Sequence, residues 1–240
     1  MTCEYDLSDA LYVACGKGHI DEVRRVLDLG ARVNEFEPGQ ARTALSAAAS
    51  LGYTEICALL IDRGANIDTI TEDGHTALAL AAFSGQTRTC SLLLDKGADP
   101  NIAQENGRTP LTCAAWQGHG ATCALLLDGG ANVNIPDGDG WSPLMLARYS
   151  QDTKTADDNG VEICKLLLDR GADINHKNHA GWTALHDSAF TGDADVCLLL
   201  LARGADLAFR DTAGKSALDL ANEHGRENVA GILRSWVDAS

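Results

Sequence analysis

The sequence predicts an all-α tandem-repeat solenoid, on three observations. A Gly-Ala pair recurs at 30/31, 64/65, 97/98, 130/131, 171/172 and 204/205, with spacings of 34, 33, 33, 41 and 33. A Thr/Ser-x-Leu tripeptide opens an apolar run in six units, beginning at Thr43, Thr76, Thr109, Ser142, Thr183 and Ser216. A second apolar run follows with 3-4 spacing, as in Ile56, Cys57, Leu59 and Leu60. Self-similarity at this short period marks stacked helical hairpins, not one compact core.

Seven units account for residues 1–240 as a single domain, at about 4–35, 36–69, 70–102, 103–135, 136–176, 177–209 and 210–240. In the first, a helix from Asp6 to Cys15, a turn at 16–19 and a helix from Ile20 to Leu29 are expected. Ser8 and Asp9 replace the opening tripeptide there, as suits a terminal repeat. The second unit carries a turn signal at Glu37-Pro38-Gly39-Gln40. The third and fourth are the most regular: the Thr76 and Thr109 hydroxyls can cap a helix, and Pro110 fits its first turn. The fifth holds a polar insertion at 151–158, and its phase resumes at Gly160. The sixth reads Trp182-Thr183-Ala184-Leu185-His186. In the seventh, Asp219, Asn222 and Glu223 give a polar outer face, and Trp236 is expected to fold back on the last core layer.

Composition narrows the function. The net charge is −15, from 34 acids against 19 bases, which opposes binding to nucleic acid or anionic membranes. No run of 18 apolar residues and no basic-then-apolar leader is present. Cys57, Cys90, Cys123, Cys164 and Cys197 share one phase, so neighbours stand about one repeat, roughly 10 Å, apart, too far for disulfides. They are expected to be free core thiols in a reducing, cytoplasmic setting; nuclear location or non-classical secretion stays open.

The tripeptides Thr76-Ala77-Leu78, Thr109-Pro110-Leu111 and Thr183-Ala184-Leu185-His186, with Gly18-His19 and Gly118-His119, resemble the ankyrin-repeat family over nearly the whole chain. The resemblance implies two antiparallel helices and a projecting hairpin per repeat, with hairpins and first helices lining a protein-binding concave face. It also implies possible hydroxylation at hairpin asparagines, here Asn66, Asn101, Asn134 and Asn175.

On that framework Phe83, Trp116, Tyr149 and Phe190 fall in one column near the end of the first helix. The position after the hairpin glycine holds Arg42, His75, Arg108, Trp141, Trp182 and Lys215. Acids at Glu72, Asp73, Glu105, Asp137, Asp139 and Asp211 flank them. Aromatic anchors rimmed by charge suggest a hot spot for a basic or mixed apolar/basic segment of another protein. No phosphate loop, metal-binding signature or nucleophile elbow is present, so neither a catalytic residue, a metal site nor a cofactor is expected. The reading is a monomeric binding module, an adaptor or inhibitor. A secreted microbial effector and a structural spacer are the alternatives, and an enzyme is a distant third.

Overall fold

A computed structural model describes residues 7–35, 42–147 and 160–239; the insertion at 151–158 and Tyr149 lie outside them. The chain divides into two compact units.

The amino-terminal unit comprises residues 1–114 and 121–132. Its helices are α1 (Leu7–Lys17), α2 (Ile20–Asp28), α3 (Ala44–Ser50), α4 (Thr54–Asp62), α5 (Ala77–Phe83) and α6 (Thr87–Asp95), with most of α7 (Pro110–Gln117) and α8 (Gly120–Asp128). First helices pack on first helices, α1 on α3 and α3 on α5, and second helices follow as α2, α4 and α6. Helices of seven to nine residues are too short to hold alone in water. A buried column supplies what they lack: Val26, Leu60, Leu93 and Leu126 are sealed, with Cys57, Cys90 and Cys123 beside them. Each such leucine contributes about 1.5–3 kcal/mol.

The carboxyl-terminal unit comprises residues 115–120 and 133–240. It holds α9 (Pro143–Leu146), α10 (Gly160–Asp169), α11 (Ala184–Thr191), α12 (Ala194–Ala202), α13 (Ala217–Glu223) and α14 (Glu227–Ala239). Its own sealed residues at the matching repeat positions are Leu167, Leu200 and Leu233, with Cys164 and Cys197. Trp236 is only partly folded back: it is 38% exposed and borders an open cleft with Leu201 and Leu218. Among the described residues, no helix is long and apolar enough to cross a membrane.

The opening hydroxyl caps its helix at each of the six positions. Thr43, Thr76, Thr109, Ser142, Thr183 and Ser216 accept from the backbone N–H three residues on. In the sixth repeat His186 completes a capping box: its Nδ1 accepts from Thr183 N–H, so Nε2–H donates to the Lys215 carbonyl of the next repeat. Burial, at 1% exposure, holds this imidazole below the usual histidine range, partly offset by that carbonyl and by Asp211.

The hairpin asparagines form a second ladder between repeats. Asn34, Asn101 and Asn134 donate Nδ2–H to the glycine carbonyl of the following Gly-Ala pair. Their Oδ1 atoms, with that of Asn175, accept a backbone N–H from the same loop. Asn66 does not belong to this column. Asp68 fills the place in its repeat, accepting from Asp99 N–H, while Asn66 sits two residues earlier.

The seven described cysteines are buried and free. Burial pushes the thiols of Cys15, Cys57, Cys90 and Cys123 up to about 12, and those of Cys113 and Cys197 to about 11. The thiolate is the reactive form, so these side chains are inert while folded. Iodoacetamide at neutral pH followed by peptide mass mapping should leave all seven unmodified in the native protein and modify them after unfolding. The His186 environment predicts a pH effect of definite sign. A folded value below the ordinary 6.5 means that the unfolded chain takes the proton first, so stability is intact above about 6.5 and falls below it. The urea midpoint of the native chain should therefore drop between about pH 7 and 5.5 more than that of His186→Gln.

Candidate functional site

Five hairpin loops share one construction. The backbone N–H of Thr71, Gln104, Asp137, Asn178 and Asp211 donates to the carbonyl four residues on, at His75, Arg108, Trp141, Trp182 and Lys215. An acceptor side chain then ties the loop from inside. Oδ1 of Asp137 accepts from the N–H groups of Asp139 and Trp141. Asn178 does the same for Ala180 and Trp182, and Asp211 for Ala213 and Lys215. Thr71 reaches only His75 N–H. In the fourth repeat Asn106 takes over for Arg108, because Gln104 turns its amide to the Cys113 sulfur.

This corrects the placement of Asp137 among the exposed rim acids. It is 8% exposed and works as an internal clamp. Glu72, Asp73, Glu105 and Asp139 do stand exposed on the loops.

The glycines before Trp141 and Trp182 are fixed twice over. Gly140 and Gly181 have φ of +84° and +76°, where a side chain would be strained. A Cβ on Gly140 would also meet the backbone of Asn178 and His179 at 3.0 Å, and one on Gly181 would meet Thr212 N at 3.0 Å. The close passage is hydrogen-bonded: His179 N–H donates to the Asp139 carbonyl, and Thr212 N–H to that of Ala180. His176 adds an Nε2–H bond to the Gly140 carbonyl. Trp141 and Trp182 therefore leave a tightly held backbone.

Their rings meet. The Trp141 and Trp182 centroids lie 6.4 Å apart at 70°, and Trp182 and Phe190 are 5.2 Å apart at 52°. Phe190 continues to His224 at 4.4 Å and 67°. These are the edge-to-face and tilted arrangements that aromatic quadrupoles favour. Trp141, Trp182 and Phe190 remain half-buried, so each has a face toward solvent. The Trp182 indole N–H donates to Oδ2 of Asp211 at 3.2 Å. Burial raises the Asp211 carboxyl, but bonds from the Lys215 and Ala213 N–H groups and from this indole outweigh it and hold the group below its usual range. A carboxylate thus stays charged against the ring cluster. Lys215, beside it, is tied to Glu223 at 2.6 Å.

The first-helix column contributes Phe190 to this cluster, and the position after the hairpin glycine contributes Trp141 and Trp182. His224 joins them although it lies one residue past the phase of Phe190, which is why column alignment misses it. Trp116 is half-buried at the end of α7. In the amino-terminal unit, Phe83 is 38% exposed and lines a cleft with His75 and Arg108, joined there by Arg42.

The Asp137 clamp can be tested directly. Asp137→Ala strands two backbone donors and should lower stability by about 1–3 kcal/mol in urea unfolding. Asp137→Asn should cost much less, since Asn178 performs this task as an amide in the next hairpin.

Comparison with known proteins agrees with this construction. A family profile described as ankyrin repeats (3 copies) matches residues 2–71, 78–157 and 153–239. The crystal structure of the ankyrin repeat domain of Bcl-3, a member of the IkappaB protein family, superposes with a TM-score of 0.79 at 26% identity, covering 94% of this chain and 97% of that one. Histone-lysine N-methyltransferase EHMT1 of Mus musculus is 39% identical over 64 residues, as is that of Homo sapiens. That match spans 26% of this chain and only 5% of the enzyme's length, so nothing of its methyl-transfer chemistry follows for this chain.

Proposed function

The chain belongs to the ankyrin-repeat family, a fold of non-catalytic protein-interaction modules, and on that premise we propose that it is an adaptor or inhibitor that captures a segment of another protein. The segment is mixed apolar and basic, and it docks on Trp141, Trp182, Phe190 and His224. One observation carries this reading: a contiguous, half-exposed aromatic cluster with an ionised carboxylate, Asp211, bonded to its central indole. Exposed faces of tryptophan attract lysine or arginine by about 0.5–2 kcal/mol each, and Asp211 adds charge of the matching sign. The net charge of −15 speeds encounter with a basic partner. The inert, buried thiols favour a reducing, cytoplasmic location.

A pull-down with the intact chain, repeated with Trp141→Ala/Trp182→Ala, tests the assignment. The variant should retain a cooperative melt and weaken capture of the partner at least tenfold. Asp211→Asn, which keeps the loop acceptor and both rings, should weaken the same partner and reduce the salt dependence of its binding. Undiminished capture by both variants would reject the site.

A further inference from the structure

The amino-terminal unit presents chemistry of the opposite sign. A cleft of about 380 Å³ is lined by Arg42, His75 and Arg108 together with Leu51, Leu80 and Phe83. The first three occupy one framework position, the residue before the capping threonine in three successive repeats. The same loop construction that sets out tryptophans in the carboxyl-terminal unit here sets out His75 and Arg108, and Arg42 holds the matching place before Thr43.

Three features mark the cleft as a receptor for an anion. Among the described residues no carboxylate lines it, in a chain with 34 acids and 19 bases. Between neighbouring repeats several cations are held by carboxylates: Arg63 by Asp28, Arg88 by Glu55, Lys96 by Asp62 and Arg203 by Asp169. Arg42 makes no ion pair or side-chain hydrogen bond among the described residues. His75, in the repeat between the two arginines, adds an imidazole to the same lining. Beside these groups Phe83 is 38% and Leu51 49% exposed, so the occupant needs an apolar part as well as a charge.

We infer that this cleft binds a segment of another protein in which an aspartate or glutamate adjoins a side chain of leucine or phenylalanine size. A planar guanidinium matches a carboxylate with two parallel hydrogen bonds, and the exposed Phe83 and Leu51 cover the apolar neighbour. The volume lies at the small end of ligand pockets and suits a pair of side chains. The inference rests on the reading of the chain as a protein-binding module, but not on the aromatic cluster.

Isothermal titration calorimetry of the full chain with two 12-residue probes, one alternating leucine with glutamate and one alternating leucine with lysine, tests it. The acidic probe should bind and lose at least tenfold in affinity with Arg42→Gln/Arg108→Gln, while the basic probe changes less than twofold. Arg42→Gln alone, at a side chain that makes no ion pair or hydrogen bond among the described residues, should cost the acidic probe about threefold, and Trp141→Ala/Trp182→Ala should leave it unaffected. Acidic-probe binding that survives the double arginine variant overturns the inference, as does a failure of that probe to bind the native chain. A version with phosphoserine for glutamate that binds tenfold more tightly than the acidic probe also overturns the carboxylate assignment. If only the basic probe fails, the aromatic reading falls and this one stands.

Discussion

Among the described residues no helix before α14 exceeds eleven residues, so these helices depend on the layers their neighbours bury against them. The dependence is local. Leu60 is fully buried in α4, which packs on α2 and α6 as well as on α3 of its own repeat, and Val26, Leu60, Leu93 and Leu126 form the core of the amino-terminal unit. Small residues make the spacing possible. Ala48, Ala81 and Ala115 are fully buried, allowing first helices to approach closely, and the cysteines play the same part in the second helices. A larger side chain at any of these positions would separate two layers and weaken both.

Such stacking also fixes the hairpins, and through them the functional positions. Within the carboxyl-terminal unit the loops at Gly140 and Gly181 pass their neighbours so closely that a glycine is obligatory, and an acceptor side chain closes each from within. The clamp can be Thr, Asp or Asn, because the loop requires only an oxygen at the right place. Nothing in that construction depends on the side chain after the glycine. That residue is free to be His75, Arg108, Trp141, Trp182 or Lys215 while its backbone is held in one geometry. Structural demand and binding chemistry thus fall on separate residues.

The same separation explains what the sequence revealed. Repeat phase located the helices to within a residue or two: Asp6–Cys15 is observed as Leu7–Lys17, and Ile20–Leu29 as Ile20–Asp28. Caps at Thr76 and Thr109 and the sealed cysteines were equally legible, since periodicity, caps and burial act through local spacing. Roles set by contact across repeats were not. Asp137 reads as a rim acid until its oxygen is seen to hold Asp139 and Trp141, and Asn66 reads as a ladder asparagine until Asp68 is found in that place. His224 lies outside the aromatic phase because it ends α13 one residue later than Phe190 would predict, yet its ring reaches Phe190. The cleft beside Arg42 was invisible for a related reason: three cationic or imidazole side chains 33 residues apart form a patch only once their repeats are stacked.

Net charge is therefore a poor guide to what this surface recognises at short range. The second helices carry ion pairs between repeats, Arg63 to Asp28 and Lys96 to Asp62, that are exposed and worth about 0–1 kcal/mol each. They occupy basic side chains without adding much stability, and leave the remaining excess of acid spread over the surface. At physiological salt that excess is screened beyond about 8 Å, so a bound side chain responds mainly to the few groups lining its own site. Asp211 beside an indole and Arg42 beside Phe83 are local fields of opposite sign within one acidic chain. Long-range charge governs how fast a partner arrives; the residues after the hairpin glycines govern which side chains stay.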